Sequence, residues 1–94
     1  MHVVVRKYTA GSDVLDEARP KLAHLEQEMR QTPGFVAYYF LETDDGIATI
    51  TITDDEAGTQ ESMGRAANWV RENLTSNLGA PEVIRGETLI NATR

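Results

Sequence analysis

Residues 34–53 read GFVAYYFLETDDGIATITIT, and the way this stretch is read decides the fold. Phe35 through Leu41 is an unbroken apolar and aromatic run. Asp44-Asp45-Gly46 follows as a turn, because Gly and Asp tolerate the backbone angles a tight turn requires. Ile47 to Thr53 then alternates Ile and Thr in the manner of a strand. Successive side chains of a strand point to opposite faces, so the Phe35–Leu41 run has no face suited to water. A strand that is apolar on both sides is unusual in a chain of only 94 residues.

The elements around it supply the context. His2-Val3-Val4-Val5-Arg6-Lys7-Tyr8 is short and β-branched and reads as a first strand, stopped by Thr9-Ala10-Gly11. Ser12 or Asp13 can cap the helix that follows, whose apolar stripe is Leu15, Ala18, Leu22, Leu25 and Met29. Pro20 interrupts that helix, which predicts a kink or a second segment with Pro20 in its first turn. Thr53 and Glu56 fit a capping box for a second helix running to about Leu74, with Met63, Ala66, Ala67, Val70 and Leu74 as its core stripe. A loop over 75–81 leads to a last strand, Glu82 to Ile90, in which Gly86 suggests a bulge or a close backbone approach.

The order βαββαβ predicts a ferredoxin-like α+β domain over 1–94: one four-stranded antiparallel sheet with both helices on one face. The uncovered face then carries an apolar patch of a kind soluble monomers seldom expose. Only Asn91 to Arg94 remain to cover it, so two copies joined through their bare faces are expected, with Val36, Tyr38 and Phe40 at the interface. A two- or four-residue turn after strand two groups Tyr39 with Ala48, Ile50 and Ile52. That set is assigned to the helix-facing side, and Tyr38 to the dimer face; a three-residue turn would exchange them.

Composition narrows the function. A net charge of −6 and the lack of any Lys/Arg run longer than Arg6-Lys7 argue against nucleic acid as a partner. The apolar runs are too short to span a membrane, and the absence of cysteine excludes disulfides, Fe–S clusters and thiolate chemistry. Together these imply a cytoplasmic protein. Asp54-Asp55-Glu56 is read as partner to a helix dipole rather than as a metal site. His24 and His2 are expected at the surface, and no metal site is expected from them.

On the second helix, Ser62, Arg65, Trp69 and Asn73 form a band beside the core stripe, with Gly58 above it. This band is one candidate wall of a pocket between helix and sheet: Trp69 would stack on a planar ligand, Arg65 would hold an anionic oxygen, and Tyr39 would offer a phenol. The alternative is plain packing of Trp69, with Arg65 paired to Glu61 or Glu72.

The segments TPGFVAYYFLETDDG, ESMGRAANWVRENL and PEVIRGETL resemble the dimeric α+β barrel superfamily, and within it the small antibiotic biosynthesis monooxygenase-like domains. The resemblance implies a homodimer and a cavity between the second helix and the sheet. It also implies a cofactor-independent monooxygenase or related enzyme acting on an aromatic or quinonoid metabolite, whose phenolic anion would reduce O₂ directly. Relatives acting on aromatic polyketides use an asparagine, a tryptophan and a late arginine. Here Arg85 matches the arginine, but Asn68 is adjacent to Trp69 and turned to the exposed side, so its role is not carried over. Haem-degrading relatives use a histidine on the second helix and an asparagine on the first strand, and this chain has neither. No haem, flavin or metal is therefore expected. No general base is evident, which keeps open a second reading: a non-catalytic dimeric module that binds a small molecule or serves an accessory role.

Overall fold

The computed structural model describes residues 1–75 and 78–94; Ser76 and Asn77, in the loop expected after the second helix, lie outside the described residues. Strands β1 (His2–Thr9), β2 (Phe35–Thr43), β3 (Gly46–Thr53) and β4 (Glu82–Glu87) form one antiparallel sheet in the order β2-β3-β1-β4. Helices α1 (Ser12–Ala18) and α2 (Leu22–Arg30) follow β1, and α3 (Glu56–Asn73) follows β3. The ferredoxin-like order βαββαβ read from the sequence is the one observed. Among the described residues, no helix is long and apolar enough to cross a membrane.

Pro20 has the effect expected of a ring that cannot continue an α-helix. It sits in a 3₁₀ turn, Arg19–Lys21, which divides the first helical stretch into α1 and α2. Two caps differ from expectation. Gly11 occupies the N-cap of α1 with no side-chain hydrogen bond, so neither Ser12 nor Asp13 caps it. At α3 the cap is Asp55, whose carboxylate accepts from the Gly58 N–H at 3.0 Å, while Thr53 donates its hydroxyl to the Asp55 carbonyl. Gly58 is required there: a Cβ would lie 2.6 Å from the Pro33 carbonyl oxygen and 2.8 Å from Thr53 Cβ. The start of α3 is thus pressed onto the end of β3. The last strand stops at Glu87, and Gly86 pairs in register with Val3, with open space where a Cβ would be rather than a bulge.

The β2–β3 hairpin turns through two residues, Asp44-Asp45, so Tyr39 pairs with Ile50 and Tyr38 with Thr51. The grouping of Tyr39 with Ala48, Ile50 and Ile52 is therefore as expected, but that face is the bare one. Tyr38 and Phe40 pack with Leu25, Met29, Ala66 and Trp69 beneath the helices, so they are not residues of a bare-face interface. Tyr39 is 52% exposed on the opposite side. Val36 sits in a β-bulge between Phe35 and Ala37 and is half-exposed there. The extra residue lets Phe35 join the core while Ala37 faces away.

The cause of the inversion lies in β1 and β3. Of β3, Ile47 and the threonines lie under the helices, not Ile50 and Ile52: Thr49, Thr51 and Thr53 are fully or nearly fully buried. Opposite them on β1 are Arg6, Val4 and His2. The bare face instead presents Val3 and Val5, Tyr39 and Leu41, Ile50 and Ile52, and the 55%-exposed Ile84. The apolar patch inferred from β2 thus exists and spans all four strands, with a different set of residues from the one expected.

Candidate functional site

The helix-facing side of the sheet carries a row of paired residues running Phe40, Thr49, Arg6, Val83 across β2, β3, β1 and β4. Around this row the sheet and helices enclose a void of about 30 Å³. Arg6 and Tyr8 of β1, Tyr38 and Phe40 of β2, and Thr49 of β3 form its floor. Leu25 of α2, Trp69 with its apolar neighbours on α3, and Leu78 close it. The enclosed space suffices for roughly a water molecule or two. Tyr8, Val70, Leu74 and Leu78 also line an open groove of about 320 Å³ that runs past Arg71 and Pro81, so these four side chains are the wall between the interior and solvent.

Arg6 is the unusual group. It is 3% exposed, its Nε has no hydrogen-bond partner, and no ion pair involving it is formed among the described residues. A buried guanidinium without a counter-charge is costly, because it gives up hydration for nothing in return. The hydroxyls of Thr49 and Thr51 in the same layer are also buried and unpartnered. Burial pushes the Tyr38 phenol up to about 12, with Tyr8 adding to the rise and the positive Arg6 opposing it. Tyr38 is therefore a neutral hydrogen-bond donor at any physiological pH, beside a permanent cation.

Trp69 is 3% exposed and lines the void, so it belongs to the buried face of α3 and not to a flank. The buried stripe of α3 runs Gly58, Thr59, Ser62, Ala66, Trp69; of the stripe expected, Ala67 is exposed and Met63, Val70 and Leu74 are only half-buried. Small residues at the start of α3 let it approach the sheet, and this rotates the helix relative to the pattern its larger apolar residues suggest. The indole N–H donates to His24 Nδ1 at 3.1 Å. Because an indole nitrogen can only donate, His24 must accept at Nδ1, and the proton of the neutral ring is held at Nε2, which faces Glu28 Oε1 at 3.7 Å. His24, expected to be free in solvent, thus anchors the tryptophan from α2. His24 is nonetheless exposed, as expected, whereas His2 is buried and not at the surface, with Nδ1 2.5 Å from the Thr59 hydroxyl.

The remaining sequence candidates do not gather at the void. Ser62 is buried and donates its hydroxyl to the Thr59 carbonyl at 2.6 Å, a bond internal to α3. Arg65 pairs with Glu61 at 3.6 Å, keeps a buried Nε without a partner, and lines a cleft between α2 and α3 together with Trp69, His24, Asn68 and Glu72. Its side chain is not among those lining the void. Asn73 donates to the Trp69 carbonyl at 2.9 Å. Tyr39 is on the bare face, and Arg85 is exposed on the edge strand β4 opposite Val4. Among the described residues, no cluster of three His, Asp or Glu side chains is arranged to hold a metal.

Arg6, Tyr8, Tyr38 and Thr49 are the site residues that sequence reasoning missed. The signal was present in β1, where period-two alternation separates His2, Val4, Arg6 and Tyr8 from Val3, Val5 and Lys7. Assigning the more polar set to the helix-facing side runs against a hydrophobicity count, which favours Val3 and Val5 as the interior pair.

No protein-family model and no curated protein matches the chain. Solved structures do share its fold. An antibiotic biosynthesis monooxygenase aligns with a TM-score of 0.74 at 16% identity, covering 96% of this chain and all of the other. A monooxygenase of Streptomyces coelicolor, solved in complex with nanaomycin D, aligns at 0.68 and 16%, covering 99% and 90%. A haem-degrading protein of Mycobacterium tuberculosis aligns at 0.67 and 14%, covering 99% and 100%. The chain shares the ferredoxin-like fold of these antibiotic biosynthesis monooxygenase-like structures.

Proposed function

We propose that the protein is a homodimeric, cofactor-independent monooxygenase or closely related enzyme that takes an aromatic or quinonoid metabolite into the space between α3 and the sheet. The observation that carries this reading is the set of three aromatic side chains, Tyr8, Tyr38 and Trp69, gathered around an unpaired buried guanidinium. Aromatic walls favour a flat ligand, and a fixed cation stabilises negative charge developing on its oxygen. Likeness in fold to a monooxygenase solved with nanaomycin D supports the same substrate class. In this chemistry the substrate anion, and no bound group, supplies the electrons that reduce O₂.

The enclosed void is smaller than a ring, so a ligand must enter from the groove by displacing the wall formed by Val70, Leu74 and Leu78. The dimer is part of the proposal. Its interface is the bare face bearing Val3, Val5, Tyr39, Leu41, Ile50, Ile52 and Ile84, and stacking two such faces removes an exposed patch that spans four strands.

The test is oxygen uptake by the purified protein with electron-rich phenols, naphthoquinols and enols that span neutral to fully ionised at the assay pH, alongside quenching of the single tryptophan. Saturable quenching with substrate-dependent O₂ consumption above the uncatalysed rate supports the enzyme. Quenching with no O₂ consumption supports the second reading, a non-catalytic binding module, which is favoured by the lack of any carboxylate or histidine lining the void.

A further inference from the structure

The proton inventory of the cavity, taken together with the pocket reading above on which it rests, limits the ligand further. Arg6 is the one charged side chain in the lining, and Tyr8 on β1 and Tyr38 on β2 are the other titratable groups. The remaining elements bring none: α2 contributes Leu25, β3 contributes Thr49 and an isoleucine, and α3 contributes Trp69 among apolar neighbours. The nearest histidine on the α3 side, His24, is separated from the void by the indole to which it is bonded, and it meets the N–H edge of that ring. An indole N–H carries no lone pair through which a proton could pass to His24. His2 is engaged with Thr59 and does not line the void.

The site therefore holds a permanent positive charge, donor hydroxyls and no group able to remove a proton from a neutral ligand at physiological pH. We infer that Arg6 is the anchor for a ligand that enters already ionised: a flat conjugated acid whose oxyanion, enolate or carboxylate, seats on the buried guanidinium between Tyr38 and Thr49. The unpartnered Arg6 Nε and Thr49 hydroxyl are the groups such an oxyanion would satisfy. Neutral quinones and weakly acidic phenols of the same shape would leave the guanidinium unpaired and bind poorly. Discrimination by charge thus comes from the interior of the sheet, not from the half-buried Arg65 on α3 or the exposed Arg85 on β4.

Three probes separate the outcomes: 2-hydroxy-1,4-naphthoquinone, an enol ionised at neutral pH; 2-naphthoate, a carboxylate; and neutral 1,4-naphthoquinone. Affinity is read from quenching of Trp69 fluorescence for the wild type, Arg6→Lys and Arg6→Met, each checked for folding by circular dichroism. The wild type should bind at least one anionic probe about ten- to a hundredfold more tightly than the neutral one, the range expected of a charge-assisted contact. Which anion is preferred identifies the source of the oxyanion. The preference should fade as pH falls through the probe's own pKa, persist in Arg6→Lys and vanish in Arg6→Met. Equal binding of charged and neutral probes, or a preference that survives in Arg6→Met, overturns this inference and leaves the pocket standing. Absence of saturable quenching by all three overturns both.

Discussion

Replacing Arg6 by methionine should make the ligand-free protein more stable. The wild-type side chain is almost fully buried and has no ion pair among the described residues, and its Nε is unpartnered. Methionine keeps most of the aliphatic stem and removes the charge that must be desolvated. Replacing buried charged groups by apolar residues of similar volume stabilises other proteins by about 1–4 kcal/mol. Taking about 1–3 kcal/mol here, and about 4–8 °C per kcal/mol for a domain of this size, the midpoint of thermal unfolding should rise by roughly 5–20 °C. Calorimetry and urea unfolding, run at matched protein concentration because any self-association couples to stability, supply the measurement. A loss of more than about 1 kcal/mol would show that the guanidinium is satisfied in the folded protein, and the argument for an anion site would go with it. The same experiment with a saturating anionic ligand should reverse the order: about 2.7 kcal/mol of added stability at a hundred times Kd for the wild type, and none for Arg6→Met.

Ile50→Asp, which places a charge at the centre of the bare face, should convert a dimer into a monomer or an insoluble chain by sedimentation equilibrium; a stable wild-type monomer at micromolar concentration would sink the interface. Trp69→Ala should cost about 3–5 kcal/mol in urea unfolding, as expected for a buried aromatic, and Trp69→Phe markedly less, the difference between them reporting how much of the indole's contribution is packing rather than its bond to His24. The Tyr38 phenol is raised from 10.0 to about 12 by burial, so the folded state favours its neutral form. That contribution is fully present below about pH 10 and disappears between about pH 10 and 12, giving the wild type about 2 kcal/mol more alkaline destabilisation than Tyr38→Phe in the same buffers. Parallel stability curves for the two proteins up to pH 11.5 would show that the phenol is solvated.

Much of the fold could be read from local chemistry. β-branched residues mark β1, Pro20 divides the first helix, and Asp44-Asp45-Gly46 specifies a short hairpin. The site was harder, for two physical reasons. Hydrophobicity is a one-sided guide in a protein whose bare face is apolar, and here Ile50 and Ile52 of β3 belong to that face while Thr49, Thr51 and Thr53 lie under the helices. The periodicity of α3 was equally misleading, since Gly58, Thr59 and Ser62 bring its start onto the sheet and rotate Trp69 inward, while half-buried Val70 and Leu74 face the groove. The histidine contacts were invisible for a related reason: the partners of His2 and His24, Thr59 and Trp69, are 57 and 45 residues away in sequence.

The two-residue hairpin at Asp44-Asp45 has a consequence for how the chain folds and how it could evolve. In most strands a one-residue slip drives polar groups into the core, and that penalty enforces the pairing. In β2 the two alternating sets, Tyr38 and Phe40 against Tyr39 and Leu41, are nearly equal in apolar character, so the slip is only weakly opposed by the core. The length of the turn and the bulge at Val36 are left to arbitrate, and a hairpin closed one residue out of step becomes a compact kinetic trap during refolding. In sequence change, a single insertion or deletion at this turn would exchange the strand's interior for its exterior at one stroke. It would give the cavity a new floor and the sheet a new bare face without altering any residue of either.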